Sequence, residues 1–413
     1  MSIPSTAPHL AAPGSPPLLH WLEAKAARSA AWQSERGALP PKKIVLADDT
    51  MSADTAYRLA CEGTGLLWRG DFHNARQLVQ ALARRIDKPP KASKQARVAR
   101  KQAAVAAELG VPAGQAFHLH RQARAQRARV LGMVLIEFAA DYGIALRRAP
   151  DARAACTEAW GPADAADTGS VASLRELMGI ISAHEWRKKG VEIAALGAPP
   201  HNRIYPHYGV FSPVRGEYVD LVAQAPLPTV RPPKFVAFDI GTGTGVLAAV
   251  LSLRGVDQVV ATDQDPRALA CARENLARLR LPGPVKVMQA NLYPEGLASV
   301  IVCNPPWLPA RPGSPLEAAV YDEGSRMLLG FLAGLAAHLA PGGEGWLVLS
   351  DFAEHLGLRT RGELLAAIDA GGLQVAGRIE AKPVHAKVAD ESDALHAARA
   401  QEVTSLWRLI AAR

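Results

Sequence analysis

From residue 234 onward, apolar and polar positions fall into blocks that repeat. KFVAFDI, DQVVATD, PVKVMQA, ASVIVCN and EGWLVLS are short runs dominated by apolar and β-branched residues, the pattern of strands buried on both faces. Between them lie VLAAVLSLRG, PRALACARENLARLRL, SRMLLGFLAGLAAHLAPGG and GELLAAIDAGG, which read as helices. Pro266 is placed to start one of them, while Gly255 and the Pro-Gly-Gly at 341–343 stop two others. LQVAGRIE and EVTSLWRLIAA read as the last strands. Strands alternating with helices of this length predict an α/β fold, a parallel sheet with helices on both faces.

The first half of the chain has a different texture. KKIVLADDT (42–50) predicts a short strand, and residues 51–87 a helix, a glycine turn and a second helix, with Ser52 and Asp54 available as N-caps. VLGMVLIEFAADYGI (130–144) is apolar nearly all round and predicts a helix inside a bundle. Residues 149–173, rich in Ala, Asp, Gly and Pro, read as a linker. The opening residues are broken by prolines and lack a basic segment, which argues for a disordered tail over 1–20 and against a signal peptide. GVEIAALG and HNRIYPHYGVF look like two arms of a hairpin. The predicted organisation is a tail (1–20), a mainly helical basic recognition domain (21–180), a hairpin and linker (185–233) and a ligand-binding catalytic domain (234–413).

Composition changes this picture in two ways. A chain of 413 residues is long enough for two cores. The formal net charge of +8 and pI near 9.4 point to an acidic partner, nucleic acid first, or to an Arg-rich background. Basic residues concentrate between 84 and 129 at helical spacings. Arg97, Arg100, Lys101 and Arg124 are the candidates for phosphate contacts; the competing reading is a solvated helix face. The four cysteines form no CxxC pair and read as reduced thiols, which predicts a cytoplasmic protein. No stretch is long and apolar enough to span a membrane. His118 and His120 have no acidic or cysteine partner nearby, so no metal is expected. Lys382, His385, Asp390 and Asp393, between the last two strands, are read as a solvated loop in preference to a substrate cleft.

The candidate chemistry sits at strand ends. In FDIGTGTGV a buried strand runs through Asp239, and Gly241, Thr242, Gly243 and Gly245 turn it into a helix. A dinucleotide fingerprint needs glycine at 246, where Val246 stands; this favours a GxGxG loop for S-adenosylmethionine over one for NAD. Asp263 ends the next strand about 20 residues on, the spacing at which a carboxylate accepts both ribose hydroxyls. Asn291 can engage an adenine amine, with Leu292 and Tyr293 packing on the ring. VCNPPWLP then places Asn304, the carbonyl of Pro305 and the ring of Trp307 beyond a fourth strand. Two fixed acceptors and a flat aromatic surface suit a planar group bearing NH2, whose lone pair they aim at a methyl donor.

On these motifs, residues from about 185 to 413 resemble class I S-adenosylmethionine-dependent methyltransferases of the methyltransferase-small-domain type. The resemblance implies a Rossmann-like seven-stranded sheet behind a helical N-terminal domain. The (N/D)PP(Y/F/W) motif is shared by adenine-N6 DNA methylases, some rRNA guanine-N2 methylases and protein-glutamine methylases, and the layout is most similar to the glutamine methylases of release factors. FSPVRGEYVDLV loosely resembles the segment before the Gly loop in that family, which implies that Phe211, Pro213 and Arg215 border the cofactor. Three features depart from the pattern: Asn291 where many relatives carry Asp, Trp307 in place of Tyr, and a longer, more basic N-terminal region. The expectation is an N-methyltransferase acting on a nucleic-acid base. Protein glutamine is the alternative acceptor, and a non-catalytic nucleic-acid-binding module the alternative of another class.

Overall fold

The computed structural model describes residues 16–87, 113–164, 169–230, 233–313, 317–383, 393 and 395–412. Most of the expected N-terminal tail, together with Arg97, Arg100, Lys101, His385 and Asp390, lies outside the described residues. The chain divides into two compact units, one drawn from residues 1–93 and 123–182, the other from 94–122 and 183–413.

The first unit corrects the expectation of a mainly helical domain. It is built on a six-stranded sheet. The strands are β1 Leu18–Glu23, β2 Ala26–Trp32, β3 Lys43–Ala47, β4 Thr64–Trp68, β5 Val134–Phe138 and β6 Ser170–Ser173, in the order β1-β2-β6-β5-β4-β3. β4 is buried at all five positions and β5 at four of five, so neither shows the alternation that marks a half-buried strand. A short apolar run of this kind looks the same in a buried helix. The apolar stretch at 130–144 therefore splits: the helix Ala113–Leu131 ends, Gly132 and Met133 turn, and β5 follows. The β1–β2 turn uses Ala24 and Lys25 at φ 47° and 66°, with no glycine or asparagine to announce a hairpin. β6 lies in the segment read as linker, and β1 starts within the expected tail. Ser52 does cap the helix Ala53–Cys61, accepting from the Thr55 N–H.

The second unit contains a short antiparallel pair, β7 Val191–Glu192 with β8 Arg203–Ile204, and a seven-stranded sheet. Its strands are β9 Val236–Ile240, β10 Gln258–Asp263, β11 Val285–Gln289, β12 Ala298–Cys303, β13 Leu339–Ser350, β14 Leu373–Ala381 and β15 Thr404–Ala411. They lie in the order β11-β10-β9-β12-β13-β15-β14. The sheet is mixed, because β15 runs antiparallel to both of its neighbours. Alternate residues of one strand enter different cores. Val300 and Val302 pack with Leu247, Val250 and Trp346; Ile301 and Cys303 pack with Phe238, Phe331 and Leu347. Coverage on both faces is why these strands read as continuous apolar runs.

Succession runs outward from β9 to β10 and β11, and then the chain returns to β12 on the other side of β9. Open α/β sheets bind ligands at such a reversal, beyond the carboxyl ends of the strands. The register pairs Ile240 with Cys303, so the chain leaves the sheet at Gly241 and at Asn304 side by side.

Candidate active site at the carboxyl edge of the sheet

Gly241, Gly243 and Gly245 sit at φ 72°, 54° and 84°, the left-handed region that glycine tolerates. The Gly241 and Thr242 N–H groups both donate to the Thr262 carbonyl, which ties the loop to β10. A Cβ at Gly243 would meet nothing within 4 Å, so that glycine faces open space. One at Gly245 would lie 3.2–3.3 Å from Leu276 and Ala272, so that glycine serves close packing of two helices. Asp239 is buried behind the loop. Its Oδ2 accepts from Thr242 Oγ1 at 2.6 Å and from the Ala248 N–H at 3.0 Å, and burial pushes its carboxyl up to about 7. It holds the loop and does not line the cavity in front of it.

Asp263 does line that cavity. Its Oδ2 accepts from the Gly243 N–H and its Oδ1 from the Asp265 N–H, both at 3.0 Å, which leaves lone pairs on each oxygen. Burial raises its carboxyl above the usual range. Leu292, at φ 71°, also lines the cavity. Asn291 is exposed, outside the lining, and accepts from Gln264 Nε2 at 2.8 Å; Gln264 is the residue of that pair on the cavity wall. Tyr293 is turned away from the cavity, stacked on His338 with ring centroids 4.2 Å apart.

Asn304 also lines the cavity, and its Oδ1 accepts from Trp307 Nε1 at 2.8 Å. This bond fixes the indole and leaves Asn304 one further acceptor direction. The Arg215 guanidinium lies over the Trp307 ring, 5.9 Å from its centroid. Of the three residues expected to border the cofactor, Phe211 and Arg215 line the cavity and Pro213 does not. The loop after NPPW closes one side through Leu308, Val320 and Tyr321. It is held by Arg121, whose guanidinium sits 4.3 Å from the Tyr321 ring centroid and donates to the Arg311 carbonyl at 2.8 Å. The cavity measures about 400 Å³.

Sequence reading missed Tyr321, Arg399 and Glu402, which also line the cavity and belong to no motif. The described part of the basic run is largely occupied. Arg85 pairs with Asp54, Arg127 with Asp87 and Arg121 with Glu317, while Arg129 bonds Gln126; Arg124 is exposed. Asp393 holds Arg399 at 2.6 Å. Among the described residues no group of three or more His, Cys, Asp or Glu side chains could hold a metal ion, and no helix is long and apolar enough to cross a membrane.

The donor set fits S-adenosylmethionine. An open glycine face, a carboxylate with unspent lone pairs and an apolar wall at Leu292 lie in one cavity. Comparison with known proteins agrees. The family model described as "Methyltransferase small domain" matches residues 201–361. A ribosomal protein L11 methyltransferase from Pelotomaculum thermopropionicum is 35% identical over 153 residues, 37% of this chain and 42% of that protein. A release factor glutamine methyltransferase from Cereibacter sphaeroides is 34% identical over 156 residues, 36% of this chain and 52% of that protein. The chain thus spans about half or less of the length of the curated relatives it matches. Among solved structures, a methyltransferase from Pyrococcus furiosus aligns with a TM-score of 0.36 and 21% identity, covering 56% of this chain and 98% of that one. The Gly-rich loop, Asp263 and the NPPW corner all fall within residues 201–361, the stretch that matches the methyltransferase small domain model.

Proposed function

We propose that the chain is an S-adenosylmethionine-dependent N-methyltransferase whose acceptor is a planar amide nitrogen of a protein, glutamine being the best-supported side chain. The observation that carries this reading is the pairing of the NPPW acceptors with the Gly-rich loop across one cavity. When bound, S-adenosylmethionine supplies an electrophilic methyl group on a sulfonium sulfur. Gly243 gives the backbone room to lie against it, and Asp263 accepts from the ribose hydroxyls. Asn304 and the Pro305 carbonyl hold the N–H bonds of the acceptor, which points the nitrogen lone pair out of the amide plane. Trp307, fixed by its bond to Asn304, stacks on that plane. An amide nitrogen is a weak nucleophile, and alignment of this kind is worth roughly 7–11 kcal/mol for well-placed reactants.

The relatives named for ribosomal protein L11 and for release factor glutamine support a protein acceptor. The basic run had favoured a nucleic-acid base. Three of its six described arginines, Arg85, Arg121 and Arg127, are paired with carboxylates of the same chain, which weakens that argument. A base amine offers the same planar NH2 and remains the second reading. The test is incubation with methyl-labelled S-adenosylmethionine and separate protein, RNA and DNA fractions of a bacterial extract. Label is expected in the protein fraction as N-methylglutamine. Label confined to RNA or DNA overturns the protein assignment, and no label in any fraction overturns the methyltransferase reading.

A further inference from the structure

The cavity wall beyond Trp307 contains a carboxylate with an unused oxygen. Glu402 lies just before β15, is 3% exposed and lines the cavity. Its Oε1 accepts from Ser350 Oγ at 2.8 Å and from Arg215 Nη1 at 3.3 Å. Its Oε2 is buried and has no hydrogen-bond partner among the described residues. Arg215 in turn lies over Trp307, and Trp307 donates to Asn304, so Glu402, Arg215, Trp307 and Asn304 form one line of contacts along the wall. A buried carboxylate oxygen without a donor is strongly disfavoured unless a ligand provides one.

The pair offers a definite pattern. Glu402 Oε2 accepts, and the Arg215 guanidinium beside it has N–H groups beyond the one spent on Glu402. A donor next to an acceptor is the complement of one residue of an extended peptide, whose own N–H and C=O point to the same side. Asn304 and Pro305 already account for the nitrogen to be methylated, so these backbone groups belong to the chain that carries it. Charge favours a peptide over a nucleic acid here. Arg215 is paired with Glu402 and Arg399 with Asp393, so this wall has no excess positive charge for phosphates.

We propose that Arg215 and Glu402 form a peptide-reading subsite: Glu402 Oε2 accepts a backbone N–H of the polypeptide acceptor while Arg215 donates to a neighbouring carbonyl. This rests on the N-methyltransferase reading of the same cavity. The test uses the full chain, labelled S-adenosylmethionine, two amide probes and adenosine monophosphate. N-acetylglutamine N′-methylamide carries the side-chain amide and two peptide groups; butyramide carries the side-chain amide alone. The wild type is expected to prefer the capped glutamine by about tenfold or more in KM, the worth of a hydrogen bond to a charged group. In Glu402→Gln an N–H2 donor takes the place of the free oxygen, and the preference collapses through KM with S-adenosylhomocysteine affinity retained. Arg215→Met removes the donor from a partly exposed position and covers the case in which Glu402→Gln does not fold; the same collapse is expected. A preference that survives in the folded variants overturns the subsite, as does a wild type that takes both probes equally or methylates adenosine monophosphate in preference to either. Transfer to none of the three by a wild type that still binds S-adenosylhomocysteine overturns the underlying N-methyltransferase reading, a distinct result.

Discussion

Asn304 and Asp263 both line one cavity, and their removal is expected to fail in different ways. In the proposed reaction Asn304 acts on charge that develops at the acceptor nitrogen, so Asn304→Ala should lower kcat by a factor on the order of 10² or more in steady-state assays, with the cofactor still bound. Asp263→Ala should weaken S-adenosylhomocysteine in calorimetric titration, since each lost charge-assisted hydrogen bond is worth about 1.5–3 kcal/mol. Affinity equal to wild type would remove Asp263 from the site. Asp239 lies behind the loop and is expected to show itself in stability. Its folded carboxyl titrates near 7, against 3.8 in an unfolded chain. Between those values the folded state holds the extra proton, so the contribution of Asp239 falls as pH rises from about 4 to about 7 and is level above that. Thermal melts across this range should show a downward component in the wild type that Asp239→Asn lacks.

At the level of elements, β9, β10 and β12 were legible because a strand buried on both faces is an apolar run with clear stops. The Gly loop, Asp263 and Asn304 were legible because each follows such a strand at the reversal of strand order. Asn291 is exposed and outside the lining, while its neighbour Leu292, at φ 71°, is part of it. Residues brought in by tertiary packing carry no local signal. Arg121 is the clearest of these. In the sequence it is one more positive charge at helical spacing; in the fold it clamps Tyr321, Arg311 and Glu317 of the loop that walls the cavity. Arg121→Ala should therefore raise the acceptor KM severalfold and leave cofactor affinity unchanged. Arg121→Lys keeps the charge near Tyr321 and loses the fork of donors, so it should recover part of the loss. Equal changes in cofactor and acceptor parameters would indicate general loosening instead.

At the scale of the molecule, a boundary near residue 183 does not isolate a complete unit, because residues from the helix Ala113–Leu131 belong to the same core. Phe117 is 1% exposed among Leu308, Ala310, Phe352, Leu356 and Leu395. A fragment of residues 183–413 leaves that socket empty, and truncating a buried phenylalanine costs about 3–5 kcal/mol. The fragment is expected to melt well below the full chain, and Phe117→Ala in the full chain should reproduce much of the drop; melting of the fragment at the full-chain temperature would contradict this. The order of strands also sets a schedule. β14 pairs with β15 and with no other described strand, yet it is made first, so during synthesis it waits without its neighbour until residues 404–411 emerge. Growing chains can assemble the β9–β11 half, with Asp263 and the glycine loop, well before that moment. Glu402, on the threshold of β15, arrives with the closing strand. The half that holds the methyl donor can be in place first, and the wall that would inspect the acceptor is finished last, when an unfinished chain has become a complete sheet.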